Sequence, residues 1–268
     1  NGAKATNAKA QIPHTFMKIL PMTTSTMTFQ AGPLKRKKTA TIKLTRDNMA
    51  TPHTPERNCP KCPRLVAYRE ASRADHPDWH NAPVASVGTL NARLLIAGLA
   101  PGMRGANRTG RPFTGDFAGD LLYATLIKFG FAKGVYGRTA DDGVSFEDCR
   151  ITNAVRCVPP QNKPTGAEIA ACRPFLESEI GAMPSLRVIL ALGGIAHQTV
   201  LRNLGHKVST YKFSHRACHA LTASLTMIDS YHCSRLNTNT GRLTEAMFHE
   251  VFDDIRKLVG EPQVGARA

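Results

Sequence analysis

Four short apolar runs punctuate the chain from Cys59 onward: RLLIAG (93–98), RITNAV (150–155), RVILALG (187–193) and LTMIDS (225–230). Runs of this length, apolar at successive positions, read as strands buried on both faces, which requires a parallel sheet covered by helices. Helical spacing fills the intervals at roughly 119–130, 166–181 and 194–203, and again at 242–259 after the last run. Thr165, followed three residues later by Glu168, predicts a capping box at the start of one helix. The order β-α-β-α-β-α-β-α predicts an α/β chain: a three-layer α/β/α domain around a central parallel four-stranded sheet. Ligands of such sheets sit beyond the carboxyl ends of the strands, so the loops that follow the four runs are where chemistry is expected.

Charge says what the ligand is. The formal net charge is +15 in 268 residues. Residues 1–48 hold nine Lys/Arg against one Asp, and residues 49–268 hold 26 against 19 Asp/Glu, so about half of the excess lies in the first segment. A basic balance of this size favours a polyanion, most simply nucleic acid. Residues 1–48 show neither a 2 nor a 3.6 period. They read as a disordered basic arm or a non-native extension ahead of a start at Met49, in preference to an organellar transit segment. Residues 49–268, with ordinary hydrophobic content, read as a single domain. No apolar run is long enough to span a bilayer and no secretory h-region is visible, so a cytoplasmic protein without membrane contact is expected. Seven cysteines without a signal argue for metal ligation or free thiols over a disulfide scaffold.

Four segments at predicted strand ends carry candidate chemistry. GLAPGMRGANRTGRPFTGDFAG (98–119) combines close-approach glycines, arginines suited to phosphate, Phe113 as a stacking surface and the carboxylate of Asp116. Asn153 in TNAVRC offers both a donor and an acceptor to one edge of a pyrimidine. LGGIAHQTVL follows the third run, and YHCSRLNTNTGR supplies His232, Ser234, Arg235 and Asn237 after the fourth. A histidine there can stabilise charge developing on a base oxygen. No GxxxxGK[ST] loop is present, which argues against nucleoside triphosphate chemistry.

Cys59 and Cys62 in CPKC, with Cys157 and Cys172 in CVPPQNKPTGAEIAAC, make a four-thiolate set. Spacing alone leaves Zn²⁺ and a [4Fe–4S] cluster equally open. Cys149, Cys218 and Cys233 are left over and read as ordinary buried or semi-exposed thiols.

Taken together, GLAPGMRGANRTGRPFTGDFAG, NAVRCVPPQNKPTGAEIAAC and YHCSRLNTNTGRLT resemble the family-5, type-b uracil-DNA glycosylases, and family 4 more weakly, over about residues 57–260. The resemblance implies a uracil-glycosylase α/β/α fold, with a [4Fe–4S] cluster preferred over zinc on Cys59, Cys62, Cys157 and Cys172. It places the backbone of Gly98, Leu99, Ala100 and Gly102 along the base pocket and stacks Phe113 on a flipped base. It sets Asn153 on the base edge, His232 near the base O2, and Asp116 at water activation or sugar-cation stabilisation. Leu99 stands where family 4 has a Glu, and this favours family 5, which also accepts hypoxanthine and other damaged bases. The loop 232–240 is implied to enter the minor groove with Leu236 as a wedge, and Arg108, Arg111, Ser234, Arg235 and Asn237 are expected to contact DNA. Two departures stand out: His232-Cys233-Ser234 replaces the usual His-Pro-Ser, and Phe117-Ala118 replaces a small residue and Ser. The Lys/Arg-rich insertion of the variant that traps DNA covalently is absent.

The expected reaction is hydrolysis of the N-glycosidic bond by a monomeric prokaryotic, nucleoid-associated repair enzyme, leaving an abasic site, since no lysine is placed to form a Schiff base. The alternative from another class is a DNA-binding member of the same fold that has lost base release. An enzyme acting on free nucleotides is disfavoured by the charge balance.

Overall fold

The computed structural model describes residues 51–260 together with the backbone of Phe29–Gln30. Strand β1 is Phe29–Gln30, and the rest of the expected basic arm lies outside the described residues. Helix α1 (Pro63–Asp75) starts on a proline, whose fixed φ suits a first helical position. Strands β2 (Val87–Gly88) and β3 (Leu94–Gly98) lead to the short helix α2 (Ala106–Thr109) and to α3 (Phe117–Lys128). A hairpin of β4 (Ala132–Lys133) and β5 (Ser145–Phe146) precedes β6 (Cys149–Asn153). Helix α4 (Gly166–Gly181), β7 (Val188–Leu192), α5 (Gly194–Asn203), β8 (Cys218–Ala220), β9 (Thr226–Ser230), α6 (Arg235–Asn239) and α7 (Glu245–Val259) complete the order.

The four apolar runs become β3, β6, β7 and β9, which lie side by side and parallel in the order β9-β7-β3-β6. The expected four-stranded sheet is thus only the centre of a larger one. Among the described residues the full order is β1-β8-β9-β7-β3-β6-β2, with β2 antiparallel to β6, β8 antiparallel to β9, and β1 parallel to β8. The added edge strands are two or three residues long, too short to carry a periodic pattern. Thr165 and Glu168 form the capping box at the head of α4, each side chain bonding the other's backbone N–H.

Alternation along the central strands makes the three layers. Leu94 and Ile96 join Leu122 and Leu126 of α3 and Phe248 and Val251 of α7 on one face. Leu95 and Ala97 join Leu176 of α4 and Ala196 and Val200 of α5 on the other. Each such buried aliphatic side chain contributes about 1.5–3 kcal/mol. Asp229, buried in β9, receives His197 Nδ1 and His219 Nε2, both at 2.8 Å. Those two bonds satisfy a buried carboxylate and tie β9 to α5 and β8 immediately before the loop that carries His232. No helix among the described residues is long and apolar enough to cross a membrane.

Candidate active site

From β3 the chain crosses to β6 on one side of the sheet, then returns past β3 to β7 and β9 on the other. Loops leaving a sheet at such a reversal diverge and open a crevice at the carboxyl ends. A cleft of about 360 Å³ lies there. Leu99, Ala100 and Gly102 line it from the first loop, Asn153 from the end of β6, and His232, Ser234 and Arg235 from the loop after β9. Gly98 pairs with Asn153 in register, and the ladder runs on through Ala154 N–H to the Gly98 carbonyl and Val155 N–H to the Leu99 carbonyl, both at 2.9 Å. A Cβ at position 98 would stand 2.4 Å from Asn153 Oδ1 and 2.5 Å from Phe113 Cζ, so only glycine lets these two side chains meet over the strand end. The Asn153 amide is buried, yet it bonds no protein group among the described residues, leaving its donor and acceptor to a ligand in the cleft.

Phe113 lines the same cleft with its backbone at φ 55°, a left-handed conformation that is rare for an aromatic residue. Tyr136, on the β4–β5 hairpin, holds it there. Its hydroxyl donates to the Phe113 carbonyl at 3.2 Å and accepts from Gly115 N–H at 3.2 Å. The Phe113 ring lies 5.9 Å from that of His232, inclined by 30°.

Asp116 does two jobs from one carboxylate. Oδ1 caps α3 by accepting from Ala118 N–H at 3.1 Å and Gly119 N–H at 3.4 Å. Oδ2 stands over Gly102 and Gly105, where a Cβ would come within 2.9 and 2.3 Å of it. Burial raises the Asp116 pKa above the ordinary carboxylate value, against the two capping bonds.

Burial lowers the His232 pKa to about 4, so its imidazole is neutral at neutral pH, and its ring bonds no protein group among the described residues. The His232 carbonyl accepts from Nδ2 of Asn237 at 2.8 Å, and Ser234 caps α6. Cys233 is fully buried in the core, and burial with the nearby Asp116 pushes its thiol up to about 12, so it is an inert packing group. Cys149 and Cys218 are buried as expected. Arg235 lies over the Phe117 ring at 5.3 Å, and Leu236 projects into solvent with 71 % of its surface exposed.

Two expected DNA contacts are reassigned. Arg111 is buried in a two-pronged ion pair with Asp142, both N–O distances 2.7 Å, and its Nε bonds Thr114. A guanidinium buried in this way, with its charge met by Asp142, is not presented to a phosphate, whereas Arg108 is exposed. Asn237 directs its amide inward to His232, so its side chain supports the loop. Two residues of the site carry signals too weak to single out, Tyr136 and Asn162, and Phe117, noted in the sequence only as a departure, lines the cleft. Asn162 lines the cleft after two left-handed residues, Gln161 at φ 56° and its own at φ 57°.

Beside the cleft, Cys59, Cys62, Cys157 and Cys172 line one cavity with Leu65, Arg69 and Phe175. Cys62 is the N-cap of α1 and Cys172 belongs to α4, so the four thiols join α1, α4 and the loop after β6. Burial and the neighbouring sulfurs raise the thiols of Cys62, to about 11, of Cys157, to about 12, and of Cys172. Among the described residues no three of these sulfurs lie within 4.8 Å of one another. A single tetrahedral Zn²⁺ with Zn–S bonds of about 2.3 Å would draw them closer than that. An all-sulfur donor set on this wider frame fits a polynuclear iron–sulfur centre.

An α/β/α fold with a nucleobase-sized cleft at the strand ends defines a class that comparison with known proteins identifies. The family model described as "Uracil DNA glycosylase superfamily" matches residues 85–256. A type-5 uracil-DNA glycosylase of Thermus thermophilus is 44 % identical over 209 residues, covering 75 % of this chain and 94 % of its own. One from Mycobacterium leprae is 45 % identical over 211 residues, with coverage of 75 % and 92 %. A type-4 uracil-DNA glycosylase of Pyrobaculum aerophilum is 35 % identical over 152 residues, covering 56 % and 63 %. The chain belongs to the uracil-DNA glycosylase superfamily and, within it, to the type-5 uracil-DNA glycosylases.

Proposed function

We propose that this chain is a monofunctional DNA-repair glycosylase that takes uracil, flipped from DNA, into the cleft and hydrolyses its N-glycosidic bond. The observation that carries the reading is the convergence of the free Asn153 amide, the Phe113 ring, neutral His232 and the buried Asp116 carboxylate on one cleft. Flipping costs a few kcal/mol, least at mispaired bases. In the cleft Phe113 stacks on the base and Asn153 reads its edge. Breaking the bond leaves negative charge on the base and positive charge on the sugar. A neutral His232 N–H, with backbone N–H groups of the first loop, stabilises the base oxygen, and a preorganised donor of this kind contributes roughly 3–4 kcal/mol. The Asp116 carboxylate faces the sugar cation or orients the attacking water. The side chains of this cleft place no lysine against the sugar, so the product is an abasic site without strand cleavage.

The apolar, backbone-lined floor at Leu99 and Ala100 is compatible with hypoxanthine and other damaged bases as well as uracil. Arg108, Ser234 and Arg235 are assigned to phosphates, and the exposed Leu236 to the gap left by the flipped base. Cys59, Cys62, Cys157 and Cys172 are assigned to a [4Fe–4S] cluster, which when bound ties α1 and α4 to the loop that follows Asn153. The chain is assigned as a monomer acting on chromosomal DNA, in the nucleoid.

The test is base release from a duplex holding one uracil or one hypoxanthine, followed by alkali, with Asp116→Ala alongside. Scission only after alkali, abolished in the variant, is the expected result. Scission without alkali would refute the hydrolytic mechanism. Tight binding without scission would favour a DNA-binding protein that has lost catalysis.

A further inference from the structure

Arg69 is a buried guanidinium without a carboxylate. It lies on the inner face of α1 with Leu65 and Ser72, and only 3 % of its surface is exposed. Nη1 points at Cys157 Sγ, 3.8 Å away, and Nη2 donates to the Cys59 carbonyl at 3.2 Å. Nε, also buried, has no partner. Arg73, one turn further along the helix, is held by the Asn81 and Arg57 carbonyls and by Asn58 Oδ1, all neutral acceptors. Elsewhere the protein treats buried arginine differently: Arg111 holds Asp142, and Arg150 and Arg156 share Glu179. A buried cation with no counter-charge is costly, and two cations at i and i+4 repel. The pair therefore calls for an anion, and the sulfur that Arg69 already faces, Cys157 Sγ, belongs to the cysteine cage.

We propose that Arg69, assisted by Arg73, is the built-in counter-charge of the iron–sulfur centre. This rests on the assignment of a [4Fe–4S] cluster to the four cysteines. A cubane of charge +2 on four thiolates carries a net charge of −2, and one-electron reduction makes it −3. A guanidinium on the Cys157 sulfur stabilises both forms, the reduced one more, and disfavours loss of an electron from the resting form. Arg69 thus keeps the centre in its resting state in air, and it is a positioning and tuning residue that does not line the base-binding cleft.

The experiment uses the purified holoprotein. Iron and acid-labile sulfide per chain are measured first, and an iron-free protein refutes the cluster assignment and this inference with it, before any variant is made. Arg69→Gln, Arg69→Lys and Arg73→Gln are then compared for loss of the cluster's visible absorption in air and for midpoint potential by film voltammetry with an electrode as electron donor. Arg69→Gln is expected to lose absorption several-fold faster and to take up its electron at a more negative potential. Arg69→Lys should stay near the parent, and Arg73→Gln should shift the same way by less. Unchanged decay and potential in Arg69→Gln would overturn the proposal. If that variant does not fold, Arg73→Gln decides: a negative shift supports the counter-charge role and no shift overturns it.

Discussion

Nδ2 of Asn237 donates to the backbone carbonyl of His232 across 2.8 Å, closing the loop between β9 and α6. This bond and the Ser234 cap brace the turn on either side of Cys233. Losing a hydrogen bond of this kind costs about 1 kcal/mol, and 1.4 kcal/mol in a barrier is about tenfold in rate. Asn237→Ala is therefore expected to slow single-turnover base release about fivefold while leaving affinity for uracil-free DNA unchanged. An unchanged rate with weakened DNA affinity would show that Asn237 acts as a DNA contact after all.

Asp116 joins a cap to a charge, and two substitutions separate them. Asn at this position keeps an oxygen for Ala118 and Gly119, whereas Ala removes both functions. Asp116→Ala is expected to lose about 1 kcal/mol of stability, and Asp116→Asn much less. Both should slow base release by about 10²–10³, the scale of losing one preorganised electrostatic group. Unfolding by denaturant and single-turnover kinetics check the two halves. A rapid Asp116→Asn enzyme would be incompatible with the charge role.

Two titrations shape the pH profile. His232, lowered to about 4, stays neutral across the ordinary histidine range near 6.5. Base release should show no His232 step there, and its acid limb should follow Asp116, whose pKa burial raises above the usual carboxylate value. Stability follows the same histidine. Below about 6.5 the unfolded chain binds a proton at His232 that the folded chain refuses, so this contribution is complete above that pH and is lost as the pH falls towards 4. His232→Gln should flatten part of the acid-side fall in melting temperature. An identical fall in the variant would remove His232 from the account.

Gly98 is a steric requirement. Gly98→Ala should fold, yet its methyl group would push apart Asn153 and Phe113, and a misplacement of about 1 Å at a reacting centre can cost about 10²-fold. Competition with free uracil, together with the rate of base release, would report the loss. Normal binding of the free base would contradict the assigned pocket.

Arg108 and Arg111, three residues apart, should behave oppositely. Arg108→Ala is expected to lower the salt dependence of DNA binding by about one phosphate contact. Arg111→Ala strands the Asp142 carboxylate, which its partner holds at a pKa of about 2, and should destabilise the fold by about 3–5 kcal/mol with the salt slope intact. Binding titrations at several salt concentrations and denaturant melts distinguish the two. A reduced slope in Arg111→Ala would return that residue to the DNA interface.

The sequence by itself determined the central layer and its flanking helices, because apolar runs and 3.6-residue periodicity are local consequences of burial. It likewise marked Gly98, Phe113, Asp116, Asn153, His232 and the four cysteines, since glycine-rich turns, strand ends and paired thiols are visible as residue types in order. Edge strands such as Val87–Gly88 and Cys218–Ala220 escaped it, because two or three residues cannot display a period and pair only once a neighbouring strand exists. Only the tertiary structure decided what each polar side chain does. Arg108 and Arg111 read alike in the chain, but Asp142, thirty-one residues beyond Arg111, reaches that arginine through the β4–β5 hairpin and removes it from the surface. Tyr136 comes to support Phe113 by the same route, and Arg69 comes to face the cysteine cage without a carboxylate. Partner choice among charged and hydrogen-bonding groups depends on distances across the fold, and one-dimensional spacing carries no record of them.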